Sequence, residues 1–324
     1  MKFGLSSLEL RVLSALASGG SKPIVGVARV LGRSKSVASR VVKSLVQKGF
    51  LQAVRLGKRK EAGFAVTQHA RAFKELIAVN SHANVELALS YSGLRVLCGL
   101  LYLPSSVEEV ARLSNTPVVT VRRVLTRLLN YGFIVRLKPG AYRIVLPNLS
   151  EFVQAYAAYF LDSLRNSVSG SLFCYGLHGL LRTTEVNVPN FMVLTGVSVF
   201  HNYGVSIIQT DYRDYYFNAF VEKPRKLSIE EVVVHALARA VLVKSSREVS
   251  YSMLVVYKNL ENLNQELFFK TAREFGVLEN AQQCLKLVKE FKAGVRWQES
   301  LVEPSVLDLH PSWLDFEELV AKYA

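Results

Sequence analysis

Two stretches of this chain repeat one another without a gap. "VARVLGRSKSVASRVVKSLVQKGF" (27–50) aligns with "VARLSNTPVVTVRRVLTRLLNYGF" (110–133) at an offset of 83 residues. Eight of the 24 positions are identical, and they include the opening Val-Ala-Arg and the closing Gly-Phe. A repeat of this kind means that one supersecondary unit is built twice in tandem.

The pattern within the repeat identifies the unit. From Lys35 to Lys48, polar pairs (Lys35/Ser36, Ser39/Arg40, Lys43/Ser44, Gln47/Lys48) alternate with apolar pairs (Val37/Ala38, Val41/Val42, Leu45/Val46). A period of four is close to that of an α-helix, so the apolar pairs form a face that packs inward. The polar edge carries cations, hydroxyls and one amide, but no carboxylate. A solvated helix usually mixes charge signs; an edge without carboxylates suits phosphate oxygens and base edges.

The flanking residues complete the unit. "SSLELRVLSALASG" predicts a first helix with Ser6 or Ser7 as N-cap, and "PIVGVARVLG" a short second one with Pro23 in its first turn. Ser34 is the expected N-cap of the third. "LQAVRLGKRKEAGFAVT" reads as a hairpin whose basic tip holds Arg55, Lys58, Arg59 and Lys60, and "QHARAFKELIAVN" as a closing helix. This order resembles the MarR-like winged helix-turn-helix regulators over residues 5–80. The resemblance implies binding to double-stranded DNA through Ser34, Lys35, Ser36, Ser39, Arg40, Lys43 and the basic wing.

In the second copy, "LALSYSGLRVLCGLLYL" is the expected first helix and "SVEEVARLSN" the second. "FIVRLKPGAYRIVLP" is the expected wing, turning at Lys138-Pro139-Gly140. Its polar edge offers Thr120, Arg122, Arg123, Thr126 and Arg127, with Lys138 on the wing, as further DNA contacts. Winged helices also mediate protein contacts, and Glu108 and Glu109 on the second helix keep that alternative open.

Charge divides the chain in the same place. Residues 1–80 hold 15 Lys and Arg against 3 Asp and Glu, and residues 81–150 hold 8 against 3; residues 151–324 hold 17 against 20. A basic half joined to a slightly acidic half points to a polyanionic partner for the first half alone. No apolar run approaches the roughly 18 residues of a membrane span. "MKFGLSSLEL" lacks signal-peptide features, so a cytoplasmic location and no membrane partner are expected. Cys98, Cys174 and Cys284 lie far apart in apolar surroundings and read as reduced core residues.

The remainder reads as an α+β domain. "NLSEFVQAYAAYFLDSLRNS" (148–167) is an amphipathic helix with an aromatic stripe that could join domains, pair two chains or fill a core. "SLFCYGLHGLLRT" is expected to be helical, and "FMVLTGVSV", "VSIIQT" and "YYFNAFV" to be strands. "SIEEVVVHALARAVLVKS" predicts a helix with a capping box at Ser228 and Glu231, and more helices follow. "CYGLHGL" (174–180), "LSIEEVVVHAL" (227–237) and "FFKTAREFGVLENAQQCLKLVKE" (268–290) resemble the C-terminal domain of the AbiEi-type antitoxins of type IV toxin–antitoxin systems. That resemblance implies a nucleotidyltransferase-like fold and an autoregulator whose C-terminal domain neutralises a partner protein or pairs copies of the chain.

No catalytic constellation stands out. A nucleotidyltransferase holds Mg²⁺ with carboxylates on one face of a strand. Asp211 and Asp214 are three residues apart, which on a strand puts them on opposite faces, and a solvated turn is the expected setting. His69, His82, His178, His201, His235 and His310 form no metal-spaced pair. Neither a cofactor nor a metal is expected, and no enzymatic activity. The expected organisation is α+β: winged helix-turn-helix 1 (1–80), winged helix-turn-helix 2 (81–147), a linker helix (148–167) and a C-terminal α/β domain (168–324). The expected function is a DNA-binding transcriptional regulator. An antitoxin-type interaction protein and a replication or plasmid-partition factor are the alternatives.

Overall fold

The computed structural model describes residues 3–56, 59–104, 106–207, 211–220, 226–297 and 309–323. The chain is a mixed α+β protein that divides into two compact units, Met1–Leu164 and Arg165–Ala324.

The first unit contains the repeat. Helix α1 (Ser7–Gly19) begins with a capping box in which Ser6 and Glu9 satisfy each other's backbone amides. Strand β1 (Lys22–Pro23), α2 (Ile24–Leu31) and α3 (Lys35–Gln47) follow. Strands β2 (Leu51–Leu56) and β3 (Arg59–Phe64) pair antiparallel, and β1 closes the far side of β3, giving the order β1-β3-β2. Helix α4 (Gln68–Val79) ends this winged helix-turn-helix.

The same order recurs in α6 (Ser92–Leu100), α7 (Val107–Leu113), α8 (Val118–Asn130), β4 (Ile134–Lys138) and β5 (Ala141–Ile144). The closing Gly-Phe of the repeat does the same work in both copies. Gly49 and Gly132 adopt φ of +71° and +69°, the left-handed region that glycine enters without a Cβ clash. The amides of Phe50 and Phe133 then reach back to the carbonyls of Leu45 and Leu128, satisfying the last turn of α3 and α8. The reversal turns both phenylalanines inward, where they are fully buried.

One expected helix is two. A short α5 (Val85–Leu89) stops before α6, because Tyr91 takes a φ of +48° and gives its amide to the Leu5 carbonyl at 3.1 Å. Gly93 allows the break: a Cβ there would lie 1.9 Å from the Ala88 carbonyl oxygen.

Helix α9 (Leu149–Arg165) belongs to the first unit rather than standing as a connection. Its stripe is core. Tyr156 stacks on Phe3 at 5.1 Å and lies 5.1 Å from Phe50, while Phe152 meets Phe73 edge-on at 5.3 Å. These rings bind the N-terminus, the end of α3 and α4 to one helix.

The second unit departs further from its sequence reading. Residues 171–183 form a hairpin, β6 (Ser171–Tyr175) and β7 (His178–Thr183), not a helix. "FMVLTGVSV" supplies only β8 (Val193–Leu194) before a 3-10 segment, Gly196–Tyr203. Val205 to Ile207 are not a strand, and residues 208–210 of "VSIIQT" lie outside the described residues. Strand β9 (Arg213–Asn218) is where a strand is expected, though Val221 of "YYFNAFV" also lies outside them. The sheet is antiparallel throughout, in the order β6-β7-β9-β8. Helix α10 (Ile229–Val243) carries the expected capping box and is buried along most of its length. Around it pack α11 (Ser246–Lys258), α12 (Gln265–Glu274) and α13 (Leu278–Lys292), and α14 (Trp313–Tyr323) rests on α11. Cys98 and Cys284 are buried and Cys174 half-buried, all as free thiols.

Phe50→Ala removes a ring shared by α3, α4 and α9, and should cost about 3–5 kcal/mol of stability in thermal or urea unfolding. A loss below about 1 kcal/mol would show that this ring is not the centre of the first core.

Candidate nucleic-acid interface

The exposed edge of α3 is set by what lies beneath it. Ala38, Val41 and Leu45 are buried, so Lys35, Ser36, Ser39, Arg40 and Lys43 face outward and are all exposed. Ser34 caps the helix, accepting the Val37 amide at 3.4 Å, and is itself exposed. Arg33, exposed immediately before the cap, adds a cation that the sequence pattern does not single out. Helix α3 holds no Asp or Glu, so the edge is one of positive charges and hydroxyls. In the wing, Arg55 pairs across the hairpin with Lys60, and Leu56 with Arg59. The side chains of Arg55, Arg59 and Lys60, and all of Lys58, lie outside the described residues.

Two members of the sequence pattern are not on this edge. Ser44 and Lys48 turn inward to Glu9 of α1, a residue that the sequence alone does not mark as functional. The Ser44 hydroxyl and the Lys48 ammonium each donate to Glu9 Oε1 at 2.7 Å. The Ser6 amide and hydroxyl donate to Oε2 at 2.7 and 2.9 Å. Lys48 also donates to the Gly4 carbonyl at 2.7 Å. Burial pushes the Glu9 carboxyl upward, but the Lys48 ammonium, with the Ser6 amide and Ser44, more than offsets this. The group is held below the usual carboxylate range. Ser6 is one of the two N-caps that the sequence offers; that Glu9 closes a capping box on it, and that its carboxylate also reaches α3, are shown by the structure.

The edge of α8 differs. Val118 and Val119 replace Lys35 and Ser36, and Val119 is 69% exposed. Pro117 stands at the N-cap with no side-chain hydrogen bond. Arg122 is exposed but lies 3.4 Å from Glu108 of α7. Thr126 is exposed, and its hydroxyl bonds back to the Arg122 carbonyl at 2.9 Å. Thr120 is half-buried. Arg127 is also half-buried, with its Nε buried and its guanidinium beside Gly93. It therefore does not share the outer edge that the spacing predicts. Arg123 and Lys138 are exposed. Outward from the wing stand Val135 and Leu137, both apolar.

In the second unit the acidic pair is not a solvated turn. Asp211 is exposed, but Asp214 on β9 is buried and takes a bidentate bond from Arg182, Nε to Oδ1 at 2.6 Å and Nη2 to Oδ2 at 2.7 Å. Arg182 also donates to Glu248 at 3.1 Å, and Arg239 bonds the same carboxylate. Two arginines and two carboxylates thus join β7, β9, α10 and α11, and Asp214 is committed to arginine rather than open to a cation. His178 Nδ1 lies 2.9 Å from the Tyr216 hydroxyl, and His235 Nδ1 lies 2.8 Å from the Thr195 hydroxyl. Among the described residues no group of three or more His, Cys, Asp or Glu could hold a metal ion.

The fold and the α3 edge define a winged-helix protein with a surface suited to nucleic acid. The comparisons with known proteins agree for that part. Residues 1–62 match the family model of the sugar-specific transcriptional regulator TrmB, which supports a DNA-binding helix-turn-helix at the N-terminus. Residues 189–324 match a family model described as HVO_2833_C, C-terminal, a description that names no activity. No curated protein matches the chain. Among the described residues no helix is long and apolar enough to cross a membrane.

His69 of α4 gives this unit an acid limit. Its Nε2 lies 3.0 Å from the Lys48 carbonyl, which can only accept, so Nε2 carries the proton. Nδ1 is buried without a partner among Phe50, Tyr156 and Tyr159. Burial lowers the pKa from 6.5 to about 4, against the smaller upward pull of the Lys48 carbonyl. The neutral ring is the folded form, so its stability contribution is complete above the unfolded pKa of 6.5 and declines as pH falls toward about 4. Over that window His69→Gln should flatten the pH dependence of unfolding by about 1.4 kcal/mol per pH unit, the worth of one proton. An unchanged slope would mean that His69 titrates normally.

Proposed function

We propose that this protein is a double-stranded DNA-binding regulator of transcription in which the first winged helix reads DNA. The carrying observation is the edge of α3: Lys35, Ser36, Ser39, Arg40 and Lys43 stand exposed on one helix without a carboxylate. A helix of this kind enters the major groove with its N-terminal part against base edges, and lysine and arginine supply the phosphate contacts. The basic wing, Arg55, Lys58, Arg59 and Lys60, is the second element of that surface. The match of residues 1–62 supports both the DNA and the regulatory part of this reading.

The second winged helix joins as a lesser contributor. Arg123, Thr126 and Lys138 would touch the backbone of an adjoining segment, while Arg122 must first leave Glu108 and Arg127 stays inward. A protein-facing role for this copy has its own support in the exposed Val119, Val135 and Leu137. The C-terminal unit would serve a partner protein or a second copy of the chain; the antitoxin resemblance is one form of that reading.

Replacing Arg40 and Lys43 by Ala should weaken binding to any duplex. It should also reduce the slope of log K against log salt by about 0.9 for each phosphate that is no longer neutralised. The test is fluorescence anisotropy of the full chain on a mixed-sequence duplex between low and moderate salt. A slope equal to that of the unsubstituted chain would show that this edge does not meet DNA.

A further inference from the structure

We infer that Glu9 and Lys48 are positioning residues for DNA reading: their buried pair fixes the axial setting of α3, and with it the aim of Arg40 and Lys43. The inference rests on the reading of α3 as the DNA-reading helix.

The geometry is specific. Apart from Ser44 and Lys48, what α3 turns inward is Ala38, Val41 and Leu45, apolar groups whose contacts carry no direction of their own. Hydrogen bonds are directional, and two of them end on the same oxygen, Glu9 Oε1, at 2.7 Å. The opposite oxygen is held by Ser6, so the carboxylate is itself fixed at the start of α1. The second ammonium interaction, with the Gly4 carbonyl, ties the same lysine to a segment anchored on both sides. Phe3 stacks on Tyr156, and the Leu5 carbonyl receives the Tyr91 amide. Both charges of the pair are thereby matched inside the unit, and the ammonium is not open to phosphate: the Lys48 side chain is 9% exposed.

The second copy shows that the unit does not need this pair to fold. Arg127 and Tyr131 stand where Ser44 and Lys48 stand in the first copy, and α6 contains neither Asp nor Glu. Helix α8 nevertheless packs on α6 with Val121, Val124, Leu125 and Leu128 buried. The clamp is present in the copy whose third helix opens with Lys35 and Ser36; among the described residues none is seen in the copy that has Val118 and Val119 there and Arg122 beside Glu108 of α7. Buried ionic groups are best attested as devices that fix register rather than as sources of stability. Bidentate bonds to base edges need such register, because a small misplacement of an arginine fork breaks them while leaving phosphate attraction almost unchanged.

The experiment separates aim from affinity. The full chain is used to select a preferred duplex from random-sequence DNA, and binding to that duplex and to a mixed-sequence duplex is measured across a salt series. Lys48→Met removes the ammonium. Glu9→Gln with Lys48→Met removes both charges together, which keeps a folded chain available where the single change leaves Glu9 buried and unpaired. The expected result for both variants is a selected-to-mixed affinity ratio lower by about tenfold, the discrimination of one bidentate base contact. The salt slope should stay that of the unsubstituted chain, whereas Lys43→Ala lowers it. A folded double variant with an unchanged ratio overturns the proposal and leaves the pair merely structural. A salt slope reduced by about 0.9 in Lys48→Met overturns it in another way, because Lys48 would then be touching phosphate itself. If the unsubstituted chain binds no duplex, the DNA reading falls and this inference falls with it, a result distinct from either of the others.

Discussion

One buried carboxylate organises the surface that would meet DNA. Glu9 closes the capping box that starts α1 and receives both polar groups that the last turn of α3 sends inward. Without it, Lys48 would be an ammonium buried beside a carbonyl, and leaving such a charge unpaired costs several kcal/mol. With it, the cations of α3 sort into two kinds. Lys48 is held inside, and Lys35, Arg40 and Lys43 stand outside. The Gly-Phe reversal that follows then drives Phe50 into the aromatic cluster around Tyr156, so the same turn ends the helix and seats it. His69 adds its proton to the Lys48 carbonyl from the other side.

The first unit holds the same order of helices and wing twice. Both copies keep the reversal, the buried phenylalanine and the antiparallel wing. Among the described residues, only the first copy has a clamp and a side-chain-capped third helix, and β1 adds a third strand to its sheet. The second presents valines at the start of α8 and an arginine already paired, which suits a supporting contact better than base reading. In the second unit, the buried Asp214 and the half-buried Glu248 are matched by Arg182 and Arg239 within the fold, so both carboxylates are structural partners.

Much of this is legible in sequence because periodicity and caps are local. The four-residue alternation of α3, the Ser34 and Ser228 caps and the Gly-Phe stops are each encoded within a few residues. The failures are of another kind. Ser44 and Lys48 look like edge residues until Glu9, 35 and 39 positions away, is placed beside them. The break at Tyr91 is made by the Leu5 carbonyl, a distant group. The β6–β7 hairpin passes for a helix because Leu177, Leu180 and Leu181 fit the i, i+3, i+4 spacing of a helix face. The deciding facts are the turn at Gly176, with φ of +60°, and Gly179, whose Cβ would meet the Phe217 ring at 2.1 Å. Arg127 is hidden for the same reason: its setting follows from the space above Gly93.

The claim on which everything else turns is that α3 and its wing are the main surface that meets DNA. Amide hydrogen exchange of the full chain with and without a saturating duplex tests it directly. The account predicts that added protection concentrates in residues 34–47 and 51–64, with a weaker effect over 118–138 and none over 165–324. Protection confined to α8 and β4–β5, or to the second unit, with α3 unchanged, would contradict it.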